Sequence, residues 1–194
     1  MTARSRFGRR ATIARSTFMA AAIGAALTSL LVAPGPRGML GAGLAVLMCA
    51  IAVYDARHFV IPNALNALAL GLALIHAAVA EPRAAAAAVG MALARGALSA
   101  AVLLAIKLAY QRLRGRHGIG MGDVKLAGVA GAWLDWIAIL IAVELAAVAA
   151  LSTYLIYRML SGRPLRATNA LPFGLYFAPA IWVGWLLDIL LFAF

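Results

Sequence analysis

Six carboxylates are the whole acidic inventory of this chain: Asp55, Glu81, Asp123, Asp135, Glu144 and Asp188. Asp55 stands in the string YDARHFVIPN and Asp123 in GIGMGDVKLAG. Two carboxylates brought close together can divide the work of hydrolysis. One is ionised and activates water, the other is protonated and polarises the carbonyl, because like charges at short range cannot both ionise cheaply. The other common hydrolytic chemistries find no support. There is no H-E-x-x-H and the three histidines are dispersed, so no metal site is expected. No G-x-S-x-G occurs, and the only cysteine, Cys49, lies inside an apolar run without a histidine partner. Ser99 and Lys107 would be ~12 Å apart along one helix, too far for a dyad.

Whether Asp55 and Asp123 can meet depends on the elements that carry them. Of the 194 residues, 65% are hydrophobic and only 12% charged, which places the chain in a bilayer. Apolar runs of near-spanning length fall at 17–33, 39–54, 64–80, 84–109, 124–134, 136–157 and 172–194. The expected fold is an all-α integral membrane protein, a polytopic helical bundle of about six core spans plus one extra N-terminal span. Residues 1–37 form a basic N-terminus and anchor, and residues 38–194 the main transmembrane domain. The stretch 124–157 is divided because a single helix would rise ~50 Å against a hydrocarbon core of ~30 Å. The Trp133-Leu134-Asp135-Trp136 string supplies an interfacial break.

The net charge of +11 does not point to nucleic acid, because the basic residues collect in short segments between apolar runs. Placing the N-terminus inside puts fourteen of the 17 Lys and Arg residues in cytoplasmic segments and leaves Arg37 and Arg83 outside, with Arg95 within a span. Asp55 then ends a span descending to the cytoplasmic face and Asp123 begins one rising from it, so both approach that face. Helix-end aspartates are common as caps, and topology alone leaves that blander role as well supported as chemistry. Glu81, Asp135 and Asp188 read as interfacial polar groups. Arg95 and Glu144 are both mid-span and could form a buried ion pair.

The local strings decide between these readings. D-x-R-x-x-x-I-P-N, carrying Asp55, Arg57, Ile61, Pro62 and Asn63, resembles a motif of the type IV prepilin leader peptidases. So does G-x-G-D-x-K-L, carrying Gly120, Gly122, Asp123 and Lys125, and the later LPFG, with Pro172, Phe173 and Gly174, resembles a third. The resemblance runs from about residue 39 to the end. It implies that Asp55 and Asp123 are the catalytic pair of an aspartic endopeptidase that needs no cofactor. The implied enzyme sits in the bacterial inner membrane and removes the basic leader of a prepilin at the cytoplasmic face, with membrane lipid as its other partner. Lacking the cysteine-zinc insertion of the long, amino-methylating form, the chain looks like the short peptidases of tight-adherence (Flp-type) pili. From the residues alone, Gly120 and Gly122 form a flexible turn or permit close backbone approach, Pro62-Asn63 break the chain before a span, and Arg57 and Lys125 snorkel to lipid headgroups. Two other functions use the same aspartates: presenilin-like intramembrane proteolysis, and ion binding in a non-enzymatic transporter or assembly component.

Overall fold

A computed structural model describes residues 3–115, 118–161 and 172–192, with the side chains of 3–15, 161 and 192 excluded. Leu171 of the LPFG string, His117 and Arg116 lie outside the described residues. Every regular element among those described is helical: α1 (Ala3–Val32), α2 (Pro36–His58), α3 (Asn63–Ala80), α4 (Ala85–Arg114), α5 (Met121–Trp133), α6 (Trp136–Ser161) and α7 (Phe173–Phe192), with a 3-10 turn at Pro82–Ala84. The protein is a polytopic helical membrane protein. Five of these helices, α2, α3, α4, α6 and α7, are long and apolar enough to cross a bilayer, and Ser16–Val32 forms a shorter apolar segment.

The division of residues 124–157 holds. Leu134 is extended, and the Asp135 carboxylate accepts the Ala138 N–H at 2.7 Å, so this carboxylate caps the start of α6 rather than merely lying at the interface. With 13 residues, α5 rises only ~20 Å, short of a ~30 Å core. Its neighbour α4 has 30 residues and overshoots it at the end where α5 begins.

Small residues set the spacing between helices. A Cβ at Gly96 of α4 would fall 2.7 Å from the Gly128 carbonyl oxygen of α5, and one at Gly131 would meet the Ser99 hydroxyl and the Arg95 carbonyl. Close approach of this kind is how helices associate in lipid, where burial of apolar surface gives no advantage over the acyl chains. Large side chains fill the space between α2 and α7: Leu44, Met48 and Ile51 are fully buried, as are Phe177, Ile181 and Trp185, whose ring occupies the space left by Gly41. The N-terminal helix docks on α2 and α7, where Trp182 donates its Nε1–H to the buried Ser29 hydroxyl at 2.9 Å. Two ends of the bundle are fixed by contacts between distant segments. At one, Arg37 donates to the Ala80 carbonyl at 3.0 Å and His76 stacks on Trp133 at 4.6 Å. The other carries the C-terminus of α2 and the starts of α3, α5 and α7.

Arg95 does not pair with Glu144. Its Nε–H goes to the Gly131 carbonyl at 3.3 Å, because α4 packs on α3 and α5 whereas α6 packs on α7, and Glu144 is exposed.

Helix contact and helix propensity pull in opposite directions at these glycines. Gly90 faces open space, so Gly90→Ala should stabilise the protein by up to ~1 kcal/mol. Gly96→Ala should destabilise it by about 1–3 kcal/mol through overpacking against α5. Thermal melts of both variants in one detergent test the sign difference.

Candidate active site

The two aspartates reach one place by different routes. Asp55 lies in the last turn of α2, only 4% exposed. The helix stops four residues later at Phe59, the one non-glycine residue of positive φ among those described (φ 54°, ψ 31°), whose N–H returns to the Asp55 carbonyl at 2.8 Å. That left-handed residue reverses the chain, and Pro62 in extended conformation (φ −61°, ψ 134°) starts α3. Ile61 is thereby folded back into the bundle, 5% exposed.

Asp123 sits at the third position of α5, after Gly120, which is extended at φ −71° and ψ 152°. Its Oδ2 accepts the Gly120 N–H at 3.2 Å, half of a capping box that glycine has no side chain to complete. Asp123 is partly exposed, and Asp55 is near enough for the two charges to act on one another.

Three segments far apart in sequence interlock around Ile61. A Cβ at Gly122 would fall 3.0 Å from Ile61 Cβ. A Cβ at Gly174 would fall 2.8 Å from Ile61 Cδ1 and 2.9 Å from Asp55 Oδ2. An alanine at Gly122 would press on Ile61 Cβ, and one at Gly174 would displace the Ile61 Cδ1 methyl and the Asp55 carboxylate itself. The Leu175 N–H, in the first turn of α7, is shared between the Pro172 carbonyl at 3.2 Å and Asp55 Oδ2 at 3.1 Å. Pro172 precedes this turn and Phe173 stacks on Phe177 at 5.3 Å, fixing where α7 begins.

Lys125 does not simply snorkel. Its ammonium donates to Asn63 Oδ1 at 2.7 Å, tying α5 to the start of α3 just beyond each aspartate's own segment. Sequence reasoning missed this bond, although the shared signal was present in the strings that hold both residues. Lys107 lies over the same end, with its Nζ 3.6 Å from Met121 Sδ. Arg57, by contrast, is exposed and lines a groove between α1 and α2 with Phe18 and Met19. His58 stacks on Tyr54 at 4.2 Å. No group of three His, Cys, Asp or Glu converges among the described residues.

A helical membrane protein with two carboxylates brought to one end of its bundle is the class that fold and site define. The model of the type IV leader peptidase family matches residues 42–156, and the chain belongs to that family. Leader peptidase HopD of Escherichia coli is 31% identical over 151 residues, covering 77% of this chain and 92% of HopD. Prepilin leader peptidase/N-methyltransferases of Burkholderia pseudomallei (strain K96243) and Aeromonas hydrophila are 44% identical over 69 residues and 32% over 83. Those matches cover 36% and 43% of this chain but only 22% and 28% of the longer relatives. No solved structure matches the chain.

If Gly174 is needed for α7 to abut Asp55, Gly174→Ala should lower peptidase turnover at least about tenfold while the protein still inserts and folds. Gly71→Ala, in open space, should leave turnover unchanged. The comparison is made at equal amounts of inserted protein.

Proposed function

We propose that the protein is an aspartic endopeptidase that removes the basic leader of a type IV prepilin, of the Flp type, at the cytoplasmic face of the bacterial inner membrane. The observation that carries the reading is the convergence of Asp55 and Asp123 through Ile61, Gly122 and Gly174, on a chain of the leader peptidase family. Residues 38–194 are the catalytic unit in this reading, and residues 1–37 an anchor docked beside it.

The chemistry needs nothing beyond the pair. One carboxylate, ionised, takes a proton from a water as the water oxygen attacks the scissile carbonyl carbon. Its protonated partner donates to the carbonyl oxygen. Collapse of the tetrahedral gem-diol breaks the C–N bond: the leaving nitrogen takes the proton that the first carboxylate gained from water, and a gem-diol hydroxyl returns its proton to the second, so the pair ends with one proton as it began. Positioning falls to the protein. Leu175 N–H holds one oxygen of Asp55, Gly120 N–H holds one of Asp123, and the Lys125–Asn63 bond fixes the segments behind them.

The substrate follows from the charge pattern as well as the family. A basic leader stays on the side where Lys and Arg accumulate, and its apolar helix reaches the bundle laterally through the bilayer. The scissile bond between those two parts then lies near the membrane surface, where α5, too short to span, begins. Flp-type specificity rests on the single cysteine, Cys49, which leaves these residues without the cysteine-zinc motif of the amino-methylating form.

Asp55→Asn and Asp123→Asn should each reduce leader removal by roughly 10²- to 10⁴-fold, and the double variant should match the singles because the two act as one unit. Co-expression with a prepilin, followed by gel mobility of the pilin, reads this. Substantial cleavage by either single variant would sink the pair mechanism.

Orientation has its own test. With Cys49→Ala as background, Gly35→Cys should react with a membrane-impermeant thiol reagent in intact cells, and Arg114→Cys only after permeabilisation. Labelling of Arg114→Cys in intact cells would put both aspartates on the side opposite the leader and remove the function with the topology.

A further inference from the structure

Behind the aspartates is a second polar feature that the peptide chemistry does not use. Asn66, one turn into α3, is 95% buried, since only 5% of its surface is exposed, and neither atom of its carboxamide has a hydrogen-bond partner. An unpaired buried amide is costly, and at membrane depth there is little bulk water to satisfy it. Asn66 lines a cavity of about 490 Å³ together with Asn63, Lys125, Leu70, Leu93 and Ala97. The cavity lies between α3 and α4 over α5. Leu93 is 45% exposed, so one wall opens sideways to the surface that lipid covers.

The place is distinct from the carboxylate pair. Lys125 follows Asp123 by two positions, about 200° around the helix, so the cavity and the carboxylate occupy opposite faces of α5. Its polar end carries one cation, Lys125, which donates one N–H to Asn63 Oδ1 and has two more to offer. The Asn66 carboxamide adds two donors and an acceptor, and the remaining walls are aliphatic.

We propose that this cavity binds one anionic glycerophospholipid whose headgroup carries hydroxyls, of the phosphatidylglycerol kind. Its phosphate meets the Lys125 ammonium, its ester or phosphate oxygens accept from Asn66 Nδ2, a headgroup hydroxyl donates to Asn66 Oδ1, and an acyl chain lies along Leu70, Leu93 and Ala97. Charge and hydrogen-bond complementarity select this occupant. A zwitterionic choline headgroup brings a cation towards Lys125 and has no hydroxyl for the amide oxygen, and a basic peptide meets Lys125 with like charge. The bound lipid would brace α3 against α5 through Asn66 and Lys125, beside the Lys125–Asn63 bond that already ties them.

The inference goes beyond the peptidase reading and is tested without cleavage, by native mass spectrometry of the full chain purified in detergent, stripped of lipid and then given dioleoylphosphatidylglycerol or dioleoylphosphatidylcholine. A single phosphatidylglycerol adduct should form at least about tenfold more tightly than phosphatidylcholine. Asn66→Leu and Lys125→Met should each weaken it about tenfold. Arg112→Gln, outside the cavity, should not. In the absence of lipid, Asn66→Leu should melt at or above the wild-type temperature, since it removes an unsatisfied amide, and Asn66→Asp, which keeps the size and removes the Nδ2 donor, should also weaken lipid binding. Equal retention of both lipids, or retention unchanged in the folded Asn66 variants, would overturn the site. So would a second copy of the chain in place of the lipid mass, or full thermal stabilisation by inorganic phosphate alone.

Discussion

The Leu175 N–H bonded to Asp55 Oδ2 joins the first turn of the last helix to the last turn of the second, 120 residues apart in sequence. Much of the architecture can be understood as making that contact possible. Within a bilayer, a helix start has amides that need acceptors and a carboxylate has oxygens that need donors, and each satisfies the other without water. Gly174 leaves the space, Pro172 begins the turn, and the packed column of Phe177, Ile181 and Trp185 against Leu44, Met48 and Ile51 holds the two helices at that height. With α2 and α7 locked together, Ile61 has a fixed seat, and Gly122 brings α5 and Asp123 up against it.

Site and scaffold are therefore not separable layers here. The three motif strings are each short and individually unremarkable as turns, helix starts and glycines. They acquire meaning because one isoleucine side chain touches glycines from two of them while belonging to the third. A similar economy appears at Lys125 and Asn63, where a helix-start amide and a lysine from another string bond at 2.7 Å. These are positioning contacts, and they show why residues two to eight positions beyond an aspartate can matter to it as much as its immediate neighbours.

Composition and charge were enough to reveal the membrane class, the number of helices and the break at Leu134-Asp135, because bilayer thickness leaves few solutions for a chain so apolar. Capping roles were less legible. Asp135 was read as an interfacial carboxylate, yet its distance to the following amides makes it the cap of α6. Partners across the bundle were not legible. Periodicity says that Arg95 is mid-span but not that α4 meets α5 and avoids α6, so the Gly131 carbonyl was invisible as its acceptor. Asn66 was missed for a related reason: one asparagine in an apolar run looks like an ordinary polar substitution until packing removes every partner from it. The convergence of Asp55 with Asp123 was anticipated from topology, whereas the agent of that convergence, the left-handed turn at Phe59 that folds Ile61 inward, required coordinates.

The stack of His76 on Trp133 at the end opposite the aspartates has a consequence for the membrane rather than for the site. Because α5 rises only ~20 Å, the wall of protein that it forms beyond the aspartates is thin. Trp133 and Leu134, 4% and 1% exposed, close that wall with tightly packed aromatic and aliphatic groups. A short helix in an ion-tight membrane needs a sealed far end, and the packed Trp133 and Leu134 supply that seal.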